Sequence, residues 1–251
     1  MRVIIPALLL SLAHIAGCIS VDTGGTVINL RTDSEAKEAS IRTELWRVEK
    51  AVEQVRFRYG LNHVPVEVIV TDLGGLGETV PALDGLASVH GGIVRINEST
   101  LLELHPDTDE ILLGLFAHEL AHALHYDRLS PTDLVKLGSR YDRYYKSLDE
   151  ELRPWVEAYE QLTDMTAIAL GYAEPLIHQK HASEENLATN HPDHVWDFYL
   201  HEAEIRVLGA DRELLYRRID EALEIVDLPS LNFLSLRPVF DEYGLLRGFE
   251  D

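Results

Sequence analysis

Two histidines and a glutamate, His118, Glu119 and His122, stand in the run LLGLFAHELAHALHYDRL over residues 112–129. On a helix, residues four apart share a face, so His118 and His122 aim their imidazoles at a common point while Glu119 lies beside them. Two neutral imidazoles in this layout suit a zinc ion that takes a third protein ligand and a water. The ion lowers the pKa of that water toward roughly 7, and Glu119 is then placed to take its proton as general base. Leu112, Leu113, Leu115 and Phe116 lead straight into the motif. They predict a helix buried around much of its circumference, where polar side chains need partners.

Spacing narrows the third ligand. A metzincin site needs glycine at 125 and histidine at 128, but the chain has His125 and Arg128. A deformylase-like site needs a cysteine upstream of the motif, and Cys18, the single cysteine of the chain, is claimed by the N-terminal lipid-attachment segment. His125 lies seven residues from His118, about 10 Å along a helix axis. It is too far to join both histidines on one ion, and is expected to line the pocket or be satisfied in the core. Further on, EQLTD over residues 160–164 places Glu160 and Asp164 four apart on one helical face. One carboxylate there can close the site, and the other can accept the free ring N–H of a liganding histidine and fix its tautomer. Glu157 and Asp164 stand as alternative ligands to Glu160.

H-E-x-x-H on one helix with E-x-x-x-D on a later one resembles the gluzincin metallopeptidases, which include thermolysin and the heat-shock and prenyl-endopeptidase relatives. The resemblance spans roughly residues 88–172. It implies that His118, His122 and Glu160 bind one zinc per chain, that Glu119 activates water, and that Asp164 orients a ligand histidine. It also implies a zincin-like fold and a peptide or protein substrate laid along an edge strand, for which ASVHGGIVRIN over residues 87–97 is the candidate. The membrane-spanning helices of the prenyl-endopeptidase branch and the C-terminal ligand motifs of thermolysin are not visible. For the donor that shares the oxyanion's charge, Tyr172, His178, His181, His191, His194 and His201 are all candidates. His191 and His194 read best as residues of a polar loop rather than a second metal site.

Positioning these residues requires a small sheet and a mainly helical second half. Ile41, Leu45, Val48, Val52 and Val55 recur at three- and four-residue steps, which predicts a helix over about 34–59. VPVEVIVTD, residues 64–72, alternates as a strand, and LGGLGE after it reads as a turn. LASVH and GIVRIN read as two short strands turning at Gly91 and Gly92, a hairpin at a sheet edge. Asp107 with Glu110 reads as a capping box for the motif helix. Ser130 and Pro131 open a second helix running to about 151, and Pro154 opens a third that ends at Gly171. Residues 178–192 read as a polar loop. Helices follow near 193–207 and 211–226, then a short tail. Trp46, Trp155 and Trp196 read as core residues.

The chain of 251 residues is apolar enough, at 46%, for a full core, and its 43 acidic against 22 basic residues give a net charge of −21. That charge repels nucleic acid and anionic lipid headgroups, so a nucleic-acid partner is not expected. The first eighteen residues, MRVIIPALLLSLAHIAGC, read as a signal peptide whose IAGC end resembles the lipobox of bacterial lipoproteins. The expectation is a leader over 1–17, a membrane anchor through acylated Cys18, a tether over 18–33 and a metallopeptidase domain over 34–251. Its fold class is α+β and zincin-like, a small mixed β-sheet with an active-site helix and a mainly helical C-terminal half. By the same resemblance, the isoleucine after Cys18 favours the outer membrane, facing the periplasm. The competing expectations are a non-catalytic envelope lipoprotein with a structural or vestigial metal site, and a metallohydrolase acting on a non-peptide amide.

Overall fold

The apolar stripe Ile41, Leu45, Val48, Val52 and Val55 forms one buried face of the first helix, α1 (Glu35–Arg58). Its start is capped by Ser34, whose hydroxyl accepts the Lys37 backbone N–H. The computed structural model describes residues 19–22, 26–71, 77–84, 88–102, 104–147, 149–190 and 198–243. Cys18, His191, His194, Trp196 and most of the LGGLGE turn lie outside them.

Behind α1 is a five-stranded mixed sheet of β1 (Ile19–Asp22), β2 (Thr26–Leu30), β3 (Val66–Thr71), β4 (Gly77–Asp84) and β5 (Ser88–Asn97), in the order β1-β2-β3-β5-β4. The inner three strands are parallel, and β1 and β4 pair antiparallel at the two edges. Residues 18–33 are therefore not a plain tether. Thr26, Ile28 and Leu30 alternate into the core while β2 runs in register with β3 from Thr26↔Val66 to Leu30↔Val70. The expected hairpin at Gly91–Gly92 is also corrected. Those glycines stay within one continuous strand because it is paired on both sides, Val66 and Pro81 both facing Gly92. The hairpin is β4–β5, and among the described residues the edge strand on this side of the sheet is β4 rather than residues 87–97.

After the single turn α2 (Ser99–Leu102) comes the motif helix, α3 (Thr108–Arg128), buried at nearly every position from Ile111 to Tyr126. The expected capping box does not form. Asp107, with φ −98° and ψ 19°, is not in the extended conformation that aims a cap side chain at the helix, and it makes no such bond. The Thr108 hydroxyl instead exchanges bonds with the His105 backbone. Helix α4 (Pro131–Ser147) starts as expected, Ser130 Oγ accepting the Asp133 N–H, and ends before 151. A 3-10 turn (Glu150–Leu152) leads into α5 (Arg153–Ala169). This helix is closed by Gly171 at φ 89° with the Tyr172 N–H on the Ala167 carbonyl.

Residues 178–192, expected as a loop, fall mainly within α6 (Ala173–Asn190). Its buried stripe includes Gln179, Lys180 and Ser183, which are paired inside the protein, so hydropathy conceals the stripe. Helices α3 and α6 approach so closely that a Cβ at Gly114 would lie 2.1 Å from the Pro175 carbonyl oxygen. Next come α7 (Glu202–Ala210), which begins later than expected, and α8 (Arg212–Val226). The supposed tail carries α9 (Phe233–Tyr243), which buries Leu236, Val239 and Phe240. Trp155 is buried, but Trp46 is 50% exposed beneath the Arg47 guanidinium. The architecture is mixed α+β and mostly helical. Among the described residues no helix is long and apolar enough to cross a membrane.

Candidate metal centre

One turn apart on α3, His118 and His122 present their rings edge to face with centroids 5.0 Å apart. Helix α5 brings Glu160 against both, with its Oε2 at 3.4 Å from each Nε2. The three side chains are at least nine-tenths buried, and one ligand atom from each lies within 4.8 Å of the others. Glu160 Oε2 has no hydrogen-bond partner although it is buried. A buried acceptor without a donor is costly unless a cation completes it. An ion bound tetrahedrally at about 2.0–2.1 Å separates its donor atoms by about 3.3–3.4 Å. The two separations of 3.4 Å from Glu160 match that edge, so the residues present fit a metal ion.

The other ring nitrogens are held from behind. His118 Nδ1 lies 2.7 Å from Asp164 Oδ1, which also receives Lys180 Nζ at 3.0 Å, and Asp164 Oδ2 accepts the Leu200 backbone N–H at 3.0 Å. Asp164 is fully buried, and its partners are the His118 ring, the Lys180 ammonium and the Leu200 backbone N–H. His122 Nδ1 faces Thr163 Oγ1 at 3.4 Å. Thr163 donates its own proton to the Tyr159 carbonyl, so its oxygen is left to accept. These partners hold Nδ1 of both rings outward and turn each Nε2 toward Glu160.

Charge follows the same pattern. Burial opposes ionisation of Glu160, yet the imidazoles of His122 and His118 outweigh it and hold the carboxyl well below its usual range. Asp164 is also lowered, with burial overcome by Lys180 and then His118. His118 is depressed by burial but raised more by the carboxylates of Asp164 and Glu160 that face its two ring nitrogens, ending at about 9. The cluster attracts positive charge, and a proton on His118 takes that part when no metal is supplied.

Glu119 is buried on α3, about 60° around the helix from His122. His125 is not part of the cluster. It is fully buried with Nε2 3.0 Å from Thr166 Oγ1, and burial, with help from His122 and His118, lowers it to about 3. Glu157, the alternative ligand, instead accepts the Gln161 side-chain amide. Of the oxyanion candidates, His191 and His194 lie outside the described residues, and the other four are paired elsewhere. Tyr172 donates to the Gln54 carbonyl, His178 faces Asp107, His181 pairs with Glu202, and the His201 backbone opens α7 on Glu204.

Sequence reasoning missed three residues. Lys180 had a signal, because Leu176, Lys180 and Ser183 follow helical steps and a lysine at a core step demands a buried carboxylate. Thr163 was readable as the neighbour of Asp164 on the same turn. Tyr141, whose hydroxyl donates to Glu160 Oε1, comes from α4 and had none. Burial, reinforced by the charge of Glu160, pushes its phenol well above the ordinary range and keeps it a donor. No family model matches the chain, and no curated protein matches it.

Proposed function

We propose that the protein is a zinc-dependent metallopeptidase of the cell envelope with a zincin-like fold. The observation that carries the proposal is the convergence of His118 Nε2, His122 Nε2 and the unpartnered Glu160 Oε2 beside a buried Glu119. Two imidazole nitrogens, each 3.4 Å from one carboxylate oxygen, suit zinc better than the all-oxygen sets of magnesium or calcium. Three protein ligands leave a fourth position open, as in catalytic rather than structural sites.

When bound, the zinc supplies a Lewis acid and lowers the pKa of its water to about 7. Glu119 would be the group that takes the proton of the attacking water and hands it to the departing amine. Asp164, held by Lys180 and Leu200 N–H, keeps the His118 Nε2 lone pair directed inward, and Thr163 does the same for His122. The free edge of β4, on the strand that packs beside α3, offers backbone groups to an extended peptide laid antiparallel across the site. Attachment through an acylated Cys18 would keep the domain at the membrane surface.

The test combines metal analysis with a peptide-library assay on wild type, Glu160→Ala and Glu119→Gln. The proposal expects one zinc per wild-type chain, loss of zinc from Glu160→Ala, and a Glu119→Gln protein that keeps zinc and cleaves nothing. Wild type without stoichiometric zinc refutes the metal centre. Zinc bound without cleavage of any peptide favours the non-catalytic envelope protein.

A further inference from the structure

Glu160 brings two oxygens into a buried site, but only one of them faces the histidines. Oε1 accepts the hydroxyl of Tyr141, while Oε2 is left without a donor at equal distance from His118 and His122. The place of that hydroxyl is set by packing that does not involve Glu160. The Tyr141 ring stands edge-on to Trp155 at 5.6 Å and to Tyr159 at 5.8 Å. Trp155 is itself fixed by its indole N–H on the Val226 carbonyl at 2.8 Å, and the Arg140 guanidinium, 5.1 Å over the same ring, bonds that carbonyl too. The end of α8 thus supports Trp155, Trp155 supports Tyr141, and Tyr141 occupies one oxygen of Glu160.

We infer that Tyr141 is a positioning residue that restricts Glu160 to a single liganding oxygen, so that the metal keeps an open position for water. The inference rests on the reading of His118, His122 and Glu160 as a metal centre. A glutamate free of that bond has both oxygens available, and two-oxygen ligation consumes a coordination position that a hydrolytic ion needs. Tyr141→Phe removes the hydroxyl and leaves the ring in its packing.

Cobalt(II) substitution reads the coordination directly, because four-coordinate cobalt absorbs visible light much more strongly than five-coordinate cobalt. Wild type is expected to show the intense four-coordinate spectrum and Tyr141→Phe a weaker, five-coordinate one. Zinc affinity of the variant, measured by chelator competition, is expected to fall about 10–100-fold, the usual effect of losing a bond to a ligand side chain. A variant with wild-type spectrum and wild-type affinity overturns the inference. So does a loss of affinity with an unchanged spectrum, which would make the hydroxyl a support for stability alone. X-ray absorption on the wild-type zinc protein needs no variant and stands even if Tyr141→Phe fails to fold. One carboxylate oxygen at bonding distance supports the inference, and two overturn it. Wild type that takes up neither cobalt nor zinc defeats the metal centre itself, a result distinct from either of these.

Discussion

With no metal at the candidate centre, the stability of this protein should depend on pH between about 6.5 and 9. His118 has an unfolded pKa near 6.5 and a folded value of about 9, set against burial by Asp164 and Glu160, with His122 and Lys180 also facing it. Because the folded value is the higher, folding takes up a proton. The resulting stability is fully present below pH 6.5 and is lost as the pH rises through 9. At about 1.4 kcal/mol per pH unit the difference amounts to about 3 kcal/mol. A chain of this size shifts by about 2–4 °C per kcal/mol, so the melting temperature should fall by about 6–12 °C. His125 works in the opposite sense, since its folded value of about 3 costs stability only below pH 6.5. The range from 7 to 9 therefore reports His118 alone of the two. The assay is thermal unfolding by circular dichroism between pH 6 and 10, in chelator and in saturating zinc. Zinc displaces the proton, so the loaded protein should be flat over that range, and His118→Gln in chelator should be flat as well. A chelated wild type with constant melting temperature from pH 7 to 9, or one whose decline is unchanged by zinc, would refute the reasoning.

Other perturbations have equally definite outcomes. Asp164→Asn removes the carboxylate behind His118 and leaves Lys180 buried and unpaired; zinc affinity by chelator competition should fall about 10–100-fold and stability by about 3–5 kcal/mol in urea titration. Gly114→Ala sets a methyl group 2.1 Å from the Pro175 carbonyl, and because backbone cannot yield cheaply, denaturant unfolding should show a loss of about 1–3 kcal/mol or more. His125→Gln should keep one metal per chain in elemental analysis, since His125 bonds Thr166 and not the cluster.

The site was legible in the sequence where it depends on one helix at a time. His118 and His122 are fixed by helical spacing, and so are Glu160 and Asp164, so each pair could be placed before any tertiary arrangement was known. What joins the pairs was not legible. The polar stripe of α6 carries no hydropathy signal, so Lys180 shows only as a lysine at a core step, and nothing local says that its carboxylate is Asp164. Tyr141 reaches Glu160 from a different helix, through ring packing on Trp155 that no local pattern records. Similar limits explain the sheet. Thr26, Ile28 and Leu30 form only a short alternation, too brief to separate from a polar tether until β3 is beside it. Gly91 and Gly92 look like a turn until strands pair on both sides. The exposure of Trp46 was misjudged because α1 turns it away from the stripe that faces the core.

The central claim is that His118, His122 and Glu160 hold one zinc ion. A crystal grown with zinc, with anomalous diffraction measured on both sides of the zinc absorption edge, tests it most directly. The account predicts a single strong peak per chain about 2.0–2.2 Å from His118 Nε2, His122 Nε2 and one oxygen of Glu160, with Asp164 bonded to His118 and not to the ion. A map with no peak between these three residues, or with the ion bound by Asp164 or His125 instead, would contradict it.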